Sequence, residues 1–97
     1  MIKTLREKIR ESVQEINKEF KTNFTINELE RRLGVAITSR VIAKTLSELK
    51  MEELEHVSGG INIYNPKLIT SSILALAIAT GYVGSSSKMF LENQTKV

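Results

Sequence analysis

Apolar residues recur at Ile2, Leu5, Ile9, Val13, Ile16 and Phe20, in steps of three and four that paint one stripe along a helix. The spacing predicts a helix of about five turns. Thr25 followed three residues later by Glu28 is a capping-box pattern, and Leu29 and Leu33 continue a short second helix that Gly34 can close. Thr38 or Ser39 can cap a third helix running from Arg40 into the fifties. On it, Leu46, Leu49, Leu54 and Val57 fall within an arc of about 140° at about 100° per residue, so they form one packing or binding face. Lys50, Glu52, Glu53 and Glu55 lie largely outside that arc.

Farther on, Asn65-Pro66 reads as an N-cap followed by proline at the first helical position, where its missing N–H costs nothing. The apolar run that follows predicts a helix through Thr80, which Gly81 and Gly84 then weaken. Residues 68–87 form an uncharged run of 20, about 30 Å if helical throughout and close to the thickness of a bilayer hydrocarbon core. Ala77, Gly81 and Ser85 are spaced by four, the small-xxx-small pattern that lets helices approach in lipid. A segment of this kind is either membrane-seeking or the buried central helix of a soluble domain. The expected fold class is all-α.

Composition divides the chain at its one Gly-Gly pair. Residues 1–60 hold 11 basic and 10 acidic side chains, whereas residues 61–97 hold only Lys67, Lys88, Lys96 and Glu92. The expected organisation is therefore a helical region over 1–60 and a separate apolar segment over 61–97. The net charge of +3 permits contact with nucleic acid or anionic lipid without demanding either. With no cysteine, there is neither a disulfide framework nor a thiolate metal site. The N-terminal stretch mixes charges and has no apolar h-region, so a general secretory signal peptide is not expected.

Leu49-Lys50-Met51-Glu52-Glu53-Leu54-Glu55-His56-Val57-Ser58-Gly59-Gly60 resembles the double-glycine leader of bacteriocin-type precursors exported by peptidase-containing ABC transporters. Leu49, Glu53, Leu54, Val57, Gly59 and Gly60 match that family's pattern in register, and Lys50 stands where serine is usual. The resemblance implies cleavage between Gly60 and Ile61 by a cysteine in the transporter, with Leu49, Glu53, Leu54 and Val57 as its recognition residues. The chain would be the substrate and not an enzyme. Helix-in-groove docking of the apolar face, with two glycines threading a narrow slot, is a physical route to such recognition. Phe24 to Leu29 with the later Glu53-Leu54 and Gly59-Gly60 also looks faintly like the extended, nitrogen-fixation-related leaders of modified peptides. The resemblance further implies a cytoplasmic precursor and a secreted peptide of 37 residues carrying +2, able to oligomerise. That peptide would adsorb to a membrane through Lys67 and Lys88 and bury Ile73, Leu74, Leu76 and Ile78.

The same stretch reads in a second way. Phe24-Thr25-Ile26-Asn27-Glu28-Leu29-Glu30-Arg31-Arg32-Leu33-Gly34-Val35 resembles the first helix and turn of a winged helix-turn-helix, and the residues from Ser39 to Leu49 resemble its recognition helix. Leu54 to Tyr64 would then be the wing, a hairpin turning at Ser58-Gly59-Gly60. That resemblance implies an α+β, dimeric transcriptional regulator. Arg40 and Lys44, with Thr38 and Ser39, would meet the major groove, Arg31 and Arg32 the backbone, and residues 66–97 would supply a dimer helix. Glu48, Glu52, Glu53 and Glu55 place negative charge beside the proposed wing, which weighs against it.

Catalysis finds little support. His56 is the only histidine and has no cysteine partner, and the glutamates at 48, 52, 53 and 55 read as a solvated face. No metal or other cofactor is expected. Asn23-Phe24-Thr25 and Asn93-Gln94-Thr95 fit the glycosylation triplet without a secretory signal to accompany them.

Overall fold

The computed structural model describes residues 3–49 and 64–84. These residues form four helices and no strand: α1 Leu5–Phe20, α2 Ile26–Leu33, α3 Ser39–Leu49 and α4 Pro66–Ala79. The expected all-α class holds for them.

Each helix starts and stops for a local reason. Thr4 caps α1, its hydroxyl accepting from the Glu7 N–H at 3.2 Å and meeting the Glu7 carboxylate at 3.2 Å. The helix ends where Lys21 turns left-handed at φ 54°. Asn17 then shapes the connection, its amide donating to the Phe24 carbonyl at 2.9 Å while its oxygen accepts from the Thr22 hydroxyl and the Phe24 N–H. Thr25 opens α2 by accepting from the Glu28 N–H at 3.2 Å. Gly34, at φ 76°, closes α2 with its N–H on the Glu30 carbonyl, a left-handed conformation that a side chain would strain. Thr38 caps α3 through the Val41 N–H at 3.4 Å. Asn65 caps α4 through the Lys67 N–H at 2.9 Å, with Pro66 at the first helical position.

Of the stripe predicted on α1, Ile9, Val13 and Ile16 are buried and Leu5 and Phe20 pack at its ends, while Ile2 lies outside the described residues. The main partner of α1 is α4, which also packs against α3. Leu68, Ile69, Ser71, Ser72, Ile73, Leu74 and Ala77 of α4 are all buried, so the helix is enclosed on most of its circumference. Two serines survive there because their hydroxyls are satisfied within the helix. Ser71 donates to the Lys67 carbonyl at 2.9 Å and Ser72 to the Ile69 carbonyl at 3.0 Å, which removes the penalty of an unpaired buried hydroxyl. Ser12 of α1 and Thr70 of α4 add a hydrogen bond between helices at 3.1 Å.

The helix stops at Ala79, and Gly81 follows at φ 87°. At 14 residues, α4 is about 21 Å long. No described helix is long and apolar enough to cross a membrane. Of the dimer helix expected from residues 66–97, the described part is α4, whose fully buried side chains pack in the intrachain core while Leu76 and Ile78 are half-buried. Tyr64, expected at the end of a wing strand, is an exposed turn residue. The rest of the expected wing, the Gly59-Gly60 pair and Lys88 lie outside the described residues.

Candidate functional site

α3 has two opposite faces. Ile42, Thr45 and Leu46 are buried and Leu49 packs on the core, whereas Arg40, Lys44 and Ser47 are exposed. At about 100° per residue the two sets lie on opposite sides of the helix. Arg40 and Lys44 are one turn apart, and Thr38 and Ser39 stand exposed at the helix start. Thr45, which would bring a polar group to the core side, turns its hydroxyl back to the Val41 carbonyl at 2.8 Å. Ala43 and Val41 are half-buried at the margins, and Glu48 is exposed at the C-terminal end. The exposed face can therefore offer two cations and several small hydroxyls to an anionic partner.

The approach to α3 is held by one carboxylate. Glu30 of α2 receives a forked pair of bonds from Arg6 of α1, at 3.0 and 3.1 Å, and its Oε2 also accepts the Ile37 backbone N–H at 2.7 Å. Ile37 itself is buried in the core one residue before the Thr38 cap. Glu30 thus ties α1, α2 and the turn together and fixes where α3 begins. The Arg6 guanidinium is the main cause that holds the Glu30 carboxyl below its ordinary range; burial opposes it, and the Ile37 N–H adds a smaller lowering. The same bond raises Arg6.

A second brace closes α2 from its other side. The Arg32 guanidinium lies over the Tyr82 ring at 4.2 Å and donates to the Thr80 carbonyl at 2.9 Å. Tyr82 stacks on Phe24 at 4.7 Å, and its hydroxyl donates to Glu28 at 3.3 Å. Arg32 is therefore engaged within the chain, and of the two cations expected to meet a nucleic-acid backbone only Arg31 stands exposed without such a contact.

The remaining predicted site residues are distributed differently. Ile73 and Leu74 are fully buried and Leu76 and Ile78 half-buried, while Lys67 is exposed at the first turn of α4. Leu49 sits at the end of α3 against the core. Glu53, Leu54, Val57, Gly59, Gly60, Ile61 and Lys88 lie outside the described residues. Glu30, Arg6 and Tyr82 were not marked by sequence spacing, since Arg6 lies 24 residues and Tyr82 54 residues from its polar partner. Among the described residues no group of three acidic, histidine or cysteine side chains could hold a metal ion. Comparison with protein-family models, with curated proteins and with solved structures finds no match to this chain.

Proposed function

We propose that this chain binds duplex DNA as a helix-turn-helix protein, with α2 crossing the phosphate backbone and α3 lying in the major groove. The observation that carries the reading is the division of α3 into a core face of Ile42, Thr45 and Leu46 and an opposite, exposed face of Arg40, Lys44 and Ser47. Such a helix is fixed rigidly from behind and free to touch a partner in front, which is the docking arrangement of a recognition helix. Arg40 is the residue able to make a forked contact with a guanine edge, and Lys44 supplies a point charge to a base or phosphate. Thr38 and Ser39, at the positive end of α3, suit a phosphate oxygen. Arg31 on α2 adds a backbone contact.

The test is fluorescence anisotropy of a labelled random-sequence duplex across a salt series. Sequence-independent binding in the range of about 10⁻⁴ to 10⁻⁶ M at physiological salt is expected. Lys44→Ala should weaken binding and flatten the salt dependence by about 0.9 in slope, the value for one phosphate contact, and Arg40→Ala should weaken binding as well. No binding even at low salt would refute the proposal.

The register of Leu49, Glu53, Leu54 and Val57 before Gly59-Gly60 favours a second reading, a secreted-peptide precursor cut after Gly60. On that reading the transporter peptidase must part α4 from α1 and α3, because helices on both sides of the cut share one core. Ile73 and Leu74 would also leave that core to meet lipid. Incubation with a double-glycine transporter peptidase domain, followed by mass spectrometry, separates the readings. Scission between Gly60 and Ile61 that is lost in Leu54→Ala supports the precursor, and an intact chain that shifts duplex supports the regulator.

A further inference from the structure

Beside the α1–α2 connection lies an open groove of about 360 Å³, whose polar lining is Arg6, Arg10, Gln14, Asn17, Asn23 and Asn27. Two guanidinium groups face it, no carboxylate lines it, and three further carboxamides besides Asn17 stand along it. Some of these groups are already spent: Arg6 holds Glu30, and Asn17 serves Thr22 and Phe24. Arg10, Gln14, Asn23 and Asn27 are exposed and make no side-chain hydrogen bond among the described residues. Val13, Phe24 and Ile26 form a buried apolar floor. The groove therefore combines one unpaired arginine, several free amide donors and an apolar base, with no carboxylate in its lining.

We propose that this groove binds a phosphate-class oxyanion, with Arg10 as its principal charge and Gln14, Asn23 and Asn27 as its hydrogen-bond donors. The forked N–H groups of an arginine match two oxygens of such an anion. Arg6, neutralised by Glu30, serves as a wall of the site and not as its charge. The anion has two possible sources, a phosphodiester of a bound duplex or a free phosphate group, and the site chemistry is the same for both. The proposal does not require that the DNA-binding reading be correct.

The experiment is an amide NMR titration of the full chain with sodium phosphate, run against sodium chloride at equal ionic strength. Saturable shifts at Arg10, Gln14, Asn23 and Asn27 that chloride does not reproduce are expected. Arg10→Gln should weaken phosphate binding at least fivefold, while Lys18→Gln, an exposed change on α1 outside the groove, should leave it unaltered. Shifts that fail to saturate, that chloride matches, or that Arg10→Gln leaves unchanged would overturn the site. A salt series with duplex then assigns the source. A slope flattened by about 0.9 in Arg10→Gln marks a phosphodiester contact, whereas an unchanged slope in a variant that has lost phosphate affinity marks a free phosphate ligand. Failure of the wild-type chain to bind duplex would refute the helix-turn-helix reading and leave a saturable phosphate site standing.

Discussion

Replacing Glu30 by alanine removes three hydrogen bonds at once, two from Arg6 and one from the Ile37 N–H. The two kinds of bond are not equal. Arg6 keeps 45% of its side-chain exposure while Glu30 keeps 17%, so water replaces much of the lost ion pair and its share is about 0.5–1 kcal/mol. The Ile37 N–H belongs to a residue that is only 3% exposed, and leaving such a donor without an acceptor costs about 1–3 kcal/mol. Glu30→Ala should therefore destabilise the fold by about 1.5–4 kcal/mol. Glu30→Gln keeps a carbonyl oxygen for the Ile37 N–H and loses mainly charge, so about 1 kcal/mol is expected. Because the carboxyl is held below its ordinary range, its contribution is full above the pKa it has in the unfolded chain and disappears as pH falls through the lowered folded value. Urea unfolding followed by helical circular dichroism, at neutral pH and through the acid range, measures all of this. Equal losses for Glu30→Ala and Glu30→Gln would refute the role of the Ile37 bond. A wild-type advantage over Glu30→Gln that persists undiminished in acid would refute the ionic part.

Three further outcomes follow from the packing. Leu74→Ala empties a fully buried position at the centre of α4 and should cost about 2–5 kcal/mol, read as an earlier urea midpoint. Lys21→Gly relieves a left-handed backbone at φ 54° and should stabilise by about 0.5–1 kcal/mol, raising the melting temperature. Arg32→Ala removes the contact over Tyr82 and the bond to the Thr80 carbonyl, and should cost about 1–2 kcal/mol while shifting the NMR signals of Tyr82 and Phe24.

Local chemistry made the helix boundaries legible. Thr25 and Gly34 bracket α2 as their types demand, and Asn65-Pro66 starts α4 where a cap followed by proline should. Thr4 and Glu7 carry the same Thr-x-x-Glu signal as Thr25 and Glu28, and it marks the start of α1 just as well. The placement of α4 was not legible, because a helix apolar on nearly every side suits a protein core and a lipid phase equally. Only the packing of Leu68, Ile69, Ile73 and Leu74 with α1 and α3 distinguishes the two environments, and that packing is tertiary. The same holds for the candidate site. Periodicity places Leu46 and Leu49 on one face of α3 and hence Arg40 and Lys44 on the other. It does not reveal that Arg31 is exposed while its neighbour Arg32 is turned onto Tyr82, fifty positions away in the chain.

The measurement closest to the central claim is a map of amide NMR shifts as the labelled chain is titrated with a short duplex. The helix-turn-helix account predicts that the largest changes gather at Thr38, Ser39, Arg40, Lys44 and Ser47, with smaller ones at Arg31, and that the buried residues of α4 stay still. Changes that are absent, or that spread over α4 without touching the exposed face of α3, would contradict it.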